Sequence, residues 1–236
     1  MSEWKAKRFW KSTGVEESAE GFGISLDGRP VKTPAKRTLL LPSKGFAEAV
    51  AAEWNAQEDR IDPLSMPFTR SANAAIDKVA VQHAEVADML ADYADSDLLC
   101  YRAEYPQALV DRQTEQWDPV LDWACETLDA PLIPRAGVMH VPQDPEVLHR
   151  LSARVHSLNN FQMAGFHDLV SLSGSLILGF AAAMDFKDAA AIWEISRLDE
   201  IWQAEEWGKD EEAEIAAGIK ANAFSHAKQV FDLSSM

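Results

Sequence analysis

The segment SLSGSLILGFAAAM, residues 171–184, has no polar face. Read as a helix it is apolar all round, and such a helix is stable in water only when other elements cover every side of it. Its longest apolar run, SLILGFAAAM, is too short to span a bilayer. A chain that carries this segment must therefore supply a shell of further helices. Gly174, Gly179 and the alanines are expected to let those neighbours approach closely.

The rest of the chain offers that shell. Helical spacing and composition predict one or two helices over 69–95 and another over 107–129, with more at about 144–162, 166–184, 188–207 and 209–231. SDLLCYRA at 96–103 reads as a strand or an extended connector. Residues 130–143, punctuated by Pro131, Pro134 and Pro142, read as extended.

The first 42 residues follow a different period. Phe22, Ile24 and Leu26 lie two apart, as strand residues sharing one face do. Asp27-Gly28 is a hairpin turn signal. Short antiparallel strands are predicted at about 7–13, 21–27, 30–33 and 38–41. Ser43 reads as the N-cap of a helix over KGFAEAVAAEWNAQED, with Phe46, Val50 and Trp54 at helical spacing. Pro63 and Pro67 then break the chain. The expected fold class is α+β: a small N-terminal antiparallel β-rich domain with one helix over 1–65, then a larger, mainly α-helical domain over 66–236.

Charge narrows the partners. The 236 residues carry 38 acidic and 22 basic side chains, a net charge of -16. Such a field repels phosphate backbones and anionic membrane surfaces, so neither nucleic acid nor membrane insertion is expected. A basic protein surface would be attracted. Cys100 and Cys125 form no metal or disulfide framework and suit a reducing compartment. The N-terminus, MSEWKAKRFWKS, lacks the apolar core of a secretory signal and shows no transit peptide. The expectation is a soluble, intracellular protein.

Catalytic patterns are weak. Ser173-Gly174-Ser175, with His167 and Asp168 upstream, is the nearest approach to a nucleophile motif, but its glycine spacing is wrong and it falls inside a predicted helix. The six histidines are scattered; only His149 and His156, seven apart, could share a helix face. Asp92, Asp95 and Asp97 carry cation-ligand chemistry but sit where a helix should end. Gly21-Phe22-Gly23 is a hairpin element, not a phosphate cradle. No catalytic residue, metal or cofactor is expected. The alternative is a hydrolase with a cryptic carboxylate or serine site, and a blander one is a permanent structural subunit.

One segment resists a purely structural account. LDEIWQAEEWGKDEE, from 198, places two tryptophans in a run rich in carboxylates. On one continuous helix Ala191, Ile195, Leu198 and Trp202 form a core-facing stripe. Trp193, Glu200 and Trp207, seven apart, then fall within about 40° of one another on the opposite face, with Gln203 nearby. For Trp193 internal packing is the favoured reading, and for Glu211, Glu212 and Glu214 a solvated face. For Glu200 and Trp207, burial between two packed faces and exposure as a docking patch stand level. Trp207-Gly208-Lys209-Asp210 reads as a C-cap followed by an N-cap, a corner between two helices.

Taken together, RFWKS, GFGISLDGRPVKTP, LLLPS, AAEWNAQ, MPFTRSANAAID, DLLCYRAE, RQTEQWDPVLDWA, SGSLILGFA and LDEIWQAEEWGKDEEA span nearly the whole chain. In this order they resemble the assembly chaperones of ATP synthase that bind the free alpha subunit of its catalytic sector. Trp10 stands in RFWKS where a smaller aromatic is expected. The resemblance implies a non-enzymatic holder that keeps the unassembled alpha subunit from aggregating, cytoplasmic in a bacterium and in the mitochondrial matrix for eukaryotic relatives; a monomer is expected when it is free. The family's acidic-helix motif matches at Glu200, Gln203, Trp207, Gly208 and Asp210. Glu200, Gln203, Trp207, Asp210 and Trp193 are therefore the expected partner-binding residues, with Trp54, Gly208 and Gly174 as structural positions.

Overall fold

The computed structural model describes residues 7–235. They fold as an α+β protein, with a small antiparallel sheet near the N-terminus and a larger helical region after it. The chain packs into two compact units. One comprises Met1–His83, Asn159–Gly165 and Gln229–Met236; the other comprises Ala84–Leu158 and Phe166–Lys228. The first unit thus runs past residue 65 and draws on two later segments.

In the first unit β1 (Thr13–Ser18) pairs antiparallel with β2 (Gly21–Leu26), Thr13 opposite Leu26 and Ser18 opposite Gly21. β3 (Arg29–Pro30) and β4 (Leu40–Leu41) also pair with β2. Asp27 and Gly28, both at positive φ, turn the β2–β3 hairpin as their sequence signals. The first strand starts at Thr13, not at residue 7. Before it, the Asp27 carboxylate accepts the backbone amides of Lys11 and Ser12, so these donors are used by a side chain instead of a ladder. Those amides also hold the Asp27 carboxyl below its usual pKa.

Ser43 caps α1 (Lys44–Asn55) by accepting the Phe46 amide at 3.1 Å. Phe46, Ala47 and Val50 bury against Ile24, Leu26, Val31 and Leu41. Trp54 lies half-buried, edge-on to Trp10 with ring centroids 5.3 Å apart. α2 (Pro67–Asp77) starts on the Glu53 carboxylate, which accepts the Phe68 and Thr69 amides at 2.6 and 2.8 Å. The later segments join this core through Phe161, 6.0 Å from Phe46, and through Val230.

The second unit contains most of the remaining helices: α3 (His83–Ala91), α4 (Gln107–Leu128), α5 (Pro145–His156), α6 (Asn160–Ser173), α7 (Leu176–Ala183), α8 (Ala189–Ser196), α9 (Leu198–Trp207) and α10 (Glu211–Leu233). Of these, α6 begins in the first unit and α10 ends in it. β5 (Tyr101–Arg102) pairs parallel with β6 (Arg135–Ala136). All eight residues of α7 are buried, as an all-apolar helix requires. Among the described residues no helix is long and apolar enough to cross a membrane.

Two expected helices are each broken in two. The 166–184 helix stops at Ser173 and restarts at Leu176, because Gly174 takes φ +70° and Ser175 caps α7 by accepting the Leu178 amide. Ser173 is therefore the last residue of α6, and Ser175 lies between the two helices as the cap of α7. Close approach falls to Gly179, where an added Cβ would stand 2.6 Å from Val170 Cγ2, whereas Gly174 faces open space. The 188–207 helix likewise breaks at Arg197, between α8 and α9.

Candidate functional site

The break at Arg197 rearranges the acidic-tryptophan segment. Trp193 stays on α8, 8% exposed, packed against Phe224 at 5.7 Å with the Arg197 guanidinium over its ring. It does not share a helix face with Glu200, because the two belong to different helices. Its expected place beside Glu200 and Trp207 on one helix face is corrected accordingly: Trp193 packs internally against Phe224 of α10, in line with the favoured reading of that residue.

α9 is held from one side. Arg112 of α4 grips Glu205 with both guanidinium nitrogens, at 2.5 and 3.1 Å, and its guanidinium lies over the Trp202 ring at 5.9 Å. The pairing lowers the Glu205 pKa and raises that of Arg112. Beside it Gln113 Nε2 donates to Asp199 at 2.7 Å, while Gln113 Oε1 accepts the Ala103 amide at 2.8 Å. Leu198 is buried beneath. Trp117 of α4 extends the anchorage to α8 through Nε1, which donates to the Ile195 carbonyl at 3.0 Å.

The other face of α9 is free. Glu200, Gln203 and Trp207, at i, i+3 and i+7 within one unbroken helix, are all exposed, and Trp207 is 81% exposed. Gly208, at φ +95°, ends the helix with its amide on the Ala204 carbonyl. Asp210 then accepts the Ala213 amide at 3.1 Å and caps α10. Glu211, Glu212 and Glu214 occupy the first turn of α10, where the helix dipole favours negative charge. Three residues, Gly208 to Asp210, thus join two helix ends whose surface is acidic around an indole.

Two further apolar features carry no distinguishing signal in the sequence. Ile215 and Ile219 on α10 are 60% and 65% exposed. The loop after β6 exposes Val138 and Met139 at 88% and 80%. Exposed apolar residues are ordinary when they stand singly, and a contiguous patch of them marks a docking surface.

The candidate chemistry elsewhere is committed to structure. Ser173 Oγ donates to the Leu169 carbonyl at 2.6 Å, and Ser175 is a cap. His167 pairs with its neighbour Asp168 at 2.8 Å, and His156 with Asp88 at 2.8 Å. Asp95 accepts the Gln143 amide at 2.7 Å, and Asp97 is fully buried among backbone donors. Among the described residues no group of three or more His, Cys, Asp or Glu side chains could hold a metal ion. Trp54 and Gly174 stand away from the corner in sequence and serve packing and turning.

Comparison with known proteins places this arrangement. The family model described as ATP12 chaperone protein matches residues 7–125. The mitochondrial protein atp12 of Schizosaccharomyces pombe is 28% identical over 223 residues, covering 88% of this chain and 75% of the relative. The crystal structure of Atp12 from Paracoccus denitrificans superposes with a TM-score of 0.96 at 50% identity, covering 99% of this chain and all of that one. The crystal structure of the Atu1473 protein of Agrobacterium tumefaciens gives a TM-score of 0.89 at 40% identity over 97% of this chain and 85% of that one. The chain belongs to the ATP12 chaperone family, which serves ATP synthase assembly.

Proposed function

We propose that this protein holds the unassembled alpha subunit of the ATP synthase catalytic sector and keeps it from aggregating, without catalysing a reaction. Family membership supports the chaperone role. The observation that carries the docking site is the exposed Trp207 beside Glu200 and Gln203 on a helix whose opposite face is tied down. An indole on a rigid frame gains contact area at little cost in order, and surrounding carboxylates favour a cationic, partly apolar client surface. A holder of this kind works by mass action: binding the exposed interface lowers the free concentration of the species that aggregates. The free chaperone is monomeric in this reading, works in the bacterial cytoplasm or its mitochondrial equivalent, and needs no cofactor.

The test is co-purification of the chain with free alpha subunit at micromolar concentration in low salt. Complex formation is the expected result, and no complex would overturn the proposal. Glu200→Lys should leave the circular dichroism unchanged, since Glu200 is exposed, and should reduce capture. A variant that fails to fold would make Glu200 a structural residue; one that folds and captures normally would move the docking surface elsewhere.

A further inference from the structure

We propose that a cleft in the first unit binds an extended peptide segment in which bulky apolar side chains are flanked by carboxylates. The cleft has a volume of about 540 Å³, within the range of ligand-binding sites. Trp54, Ile61, Met66 and Ala74 form its apolar walls, and exposed Lys32, Arg70 and Lys78 stand on its rim. In a molecule with 38 acidic and 22 basic side chains, three cations around one apolar hollow reverse the prevailing charge.

The carboxylates nearby are already spent. Asp77, which also lines the cleft, accepts Thr33 Oγ1 at 2.7 Å and the Ala35 amide at 3.0 Å. Glu53 is turned toward the start of α2, with Arg70 close enough to act on its charge. Lys32 and Lys78 form no ion pair among the described residues. The cleft is also held in shape, because Arg37 Nη1 donates to the Ile76 carbonyl at 2.6 Å and ties the turn after β3 to the end of α2.

Spacing selects an extended chain. Arg70 in α2 and Lys78, the residue that caps its end, are eight residues apart, about 12 Å at the helical rise, with Ala74 between them. A strand covers that distance in roughly four residues. Carboxylates at the two ends of a short segment would reach the cations while apolar side chains enter the middle. The proposal rests on the chaperone reading only for the source of such a segment, an unassembled polypeptide.

The experiment uses the full chain and a fluorescent hexapeptide with two leucines between paired aspartates, followed by anisotropy in low salt. Saturable micromolar binding is expected. Replacing the peptide's aspartates by lysines, or its leucines by serines, should weaken it roughly tenfold or more. Lys32→Glu with Lys78→Glu should do the same, and Ala74→Trp should abolish binding by filling the cleft. Glu200→Lys should leave peptide binding intact. Equal binding of the lysine peptide, indifference to the double lysine variant, or loss with Glu200→Lys would each overturn the proposal. So would full competition by a short fatty carboxylate, which would reassign the cleft to small amphiphiles. Failure here with alpha-subunit capture preserved removes the cleft alone, whereas absent capture with peptide binding preserved overturns the alpha-subunit reading and leaves the cleft standing.

Discussion

Asp97 shows how one side chain organises the helical unit. It is fully buried, and its carboxylate accepts the Leu99 amide at 3.1 Å and the Ile177 amide at 3.0 Å. The break at Gly174 leaves the first amides of α7 without helical acceptors, and Asp97 supplies one. Burial raises its pKa from 3.8 to about 6, against the opposing pull of these hydrogen bonds. The same burial, helped by Asp97, pushes the neighbouring Cys100 thiol up to about 12, which leaves it inert. Between pH 4 and 6 the folded chain keeps a proton that the unfolded chain releases. Stability from this group is therefore complete below pH 4, falls as pH rises through 6, and is flat above. Linkage makes the change on the order of 3 kcal/mol. Urea unfolding of the wild type and Asp97→Asn should show the wild type's relative advantage shrinking by about that amount from pH 4 to pH 7. An unchanged difference would mean that Asp97 does not titrate in this window. None of this was legible in the sequence, where Asp97 looks like a turn residue at a helix end.

At the scale of elements, the strength of α9 as a platform depends on its tether to α4. Arg112→Ala removes both hydrogen bonds to Glu205 and the cation over Trp202. The Arg112 and Glu205 side chains are 27% and 53% exposed, so solvent screens the pair and global thermal stability should barely change. Amide hydrogen exchange across 198–207 should quicken instead, because local opening no longer breaks that tether. Unaltered exchange would show that Gln113 and Leu198 hold the helix alone. Periodicity located the elements well where one period ran unbroken, as in α4 and the alternation of β2. It failed at the two breaks for different reasons. Ser173-Gly174-Ser175 carries a readable stop and restart, a glycine able to take positive φ followed by a capping serine. Ser196-Arg197 carries no such signal, so the wheel continued through it and misplaced Trp193. Exposure on α10 was hidden in another way. Ile219 and Val230 are eleven residues apart, about 20° on a wheel, yet Ile219 is 65% exposed and Val230 1%. Only the neighbours that each half of the helix meets distinguish them.

For the molecule as a whole, the acidic excess was plain from composition, whereas the return of residues 159–165 and 229–236 to the first unit was not, since it depends on packing between segments far apart in the chain. Charge and apolar surface have separable consequences for a holder. On the proposed docking, the net charge of -16 would act at a distance and chiefly speed encounter with a cationic partner, while the exposed Trp207 would act only after contact and chiefly slow departure. Salt separates them, because raising ionic strength from 0.01 to 1 M shortens the screening length from about 30 Å to about 3 Å. The association rate with alpha subunit should fall by roughly tenfold or more over that range, with the dissociation rate changing far less. Glu200→Lys should flatten the salt dependence of association, and Trp207→Ala should raise the dissociation rate while leaving that slope intact. Stopped-flow measurement of both rates checks each limb. A dissociation rate that carried the whole salt effect would place the charges inside the contact and reduce the indole to a bystander.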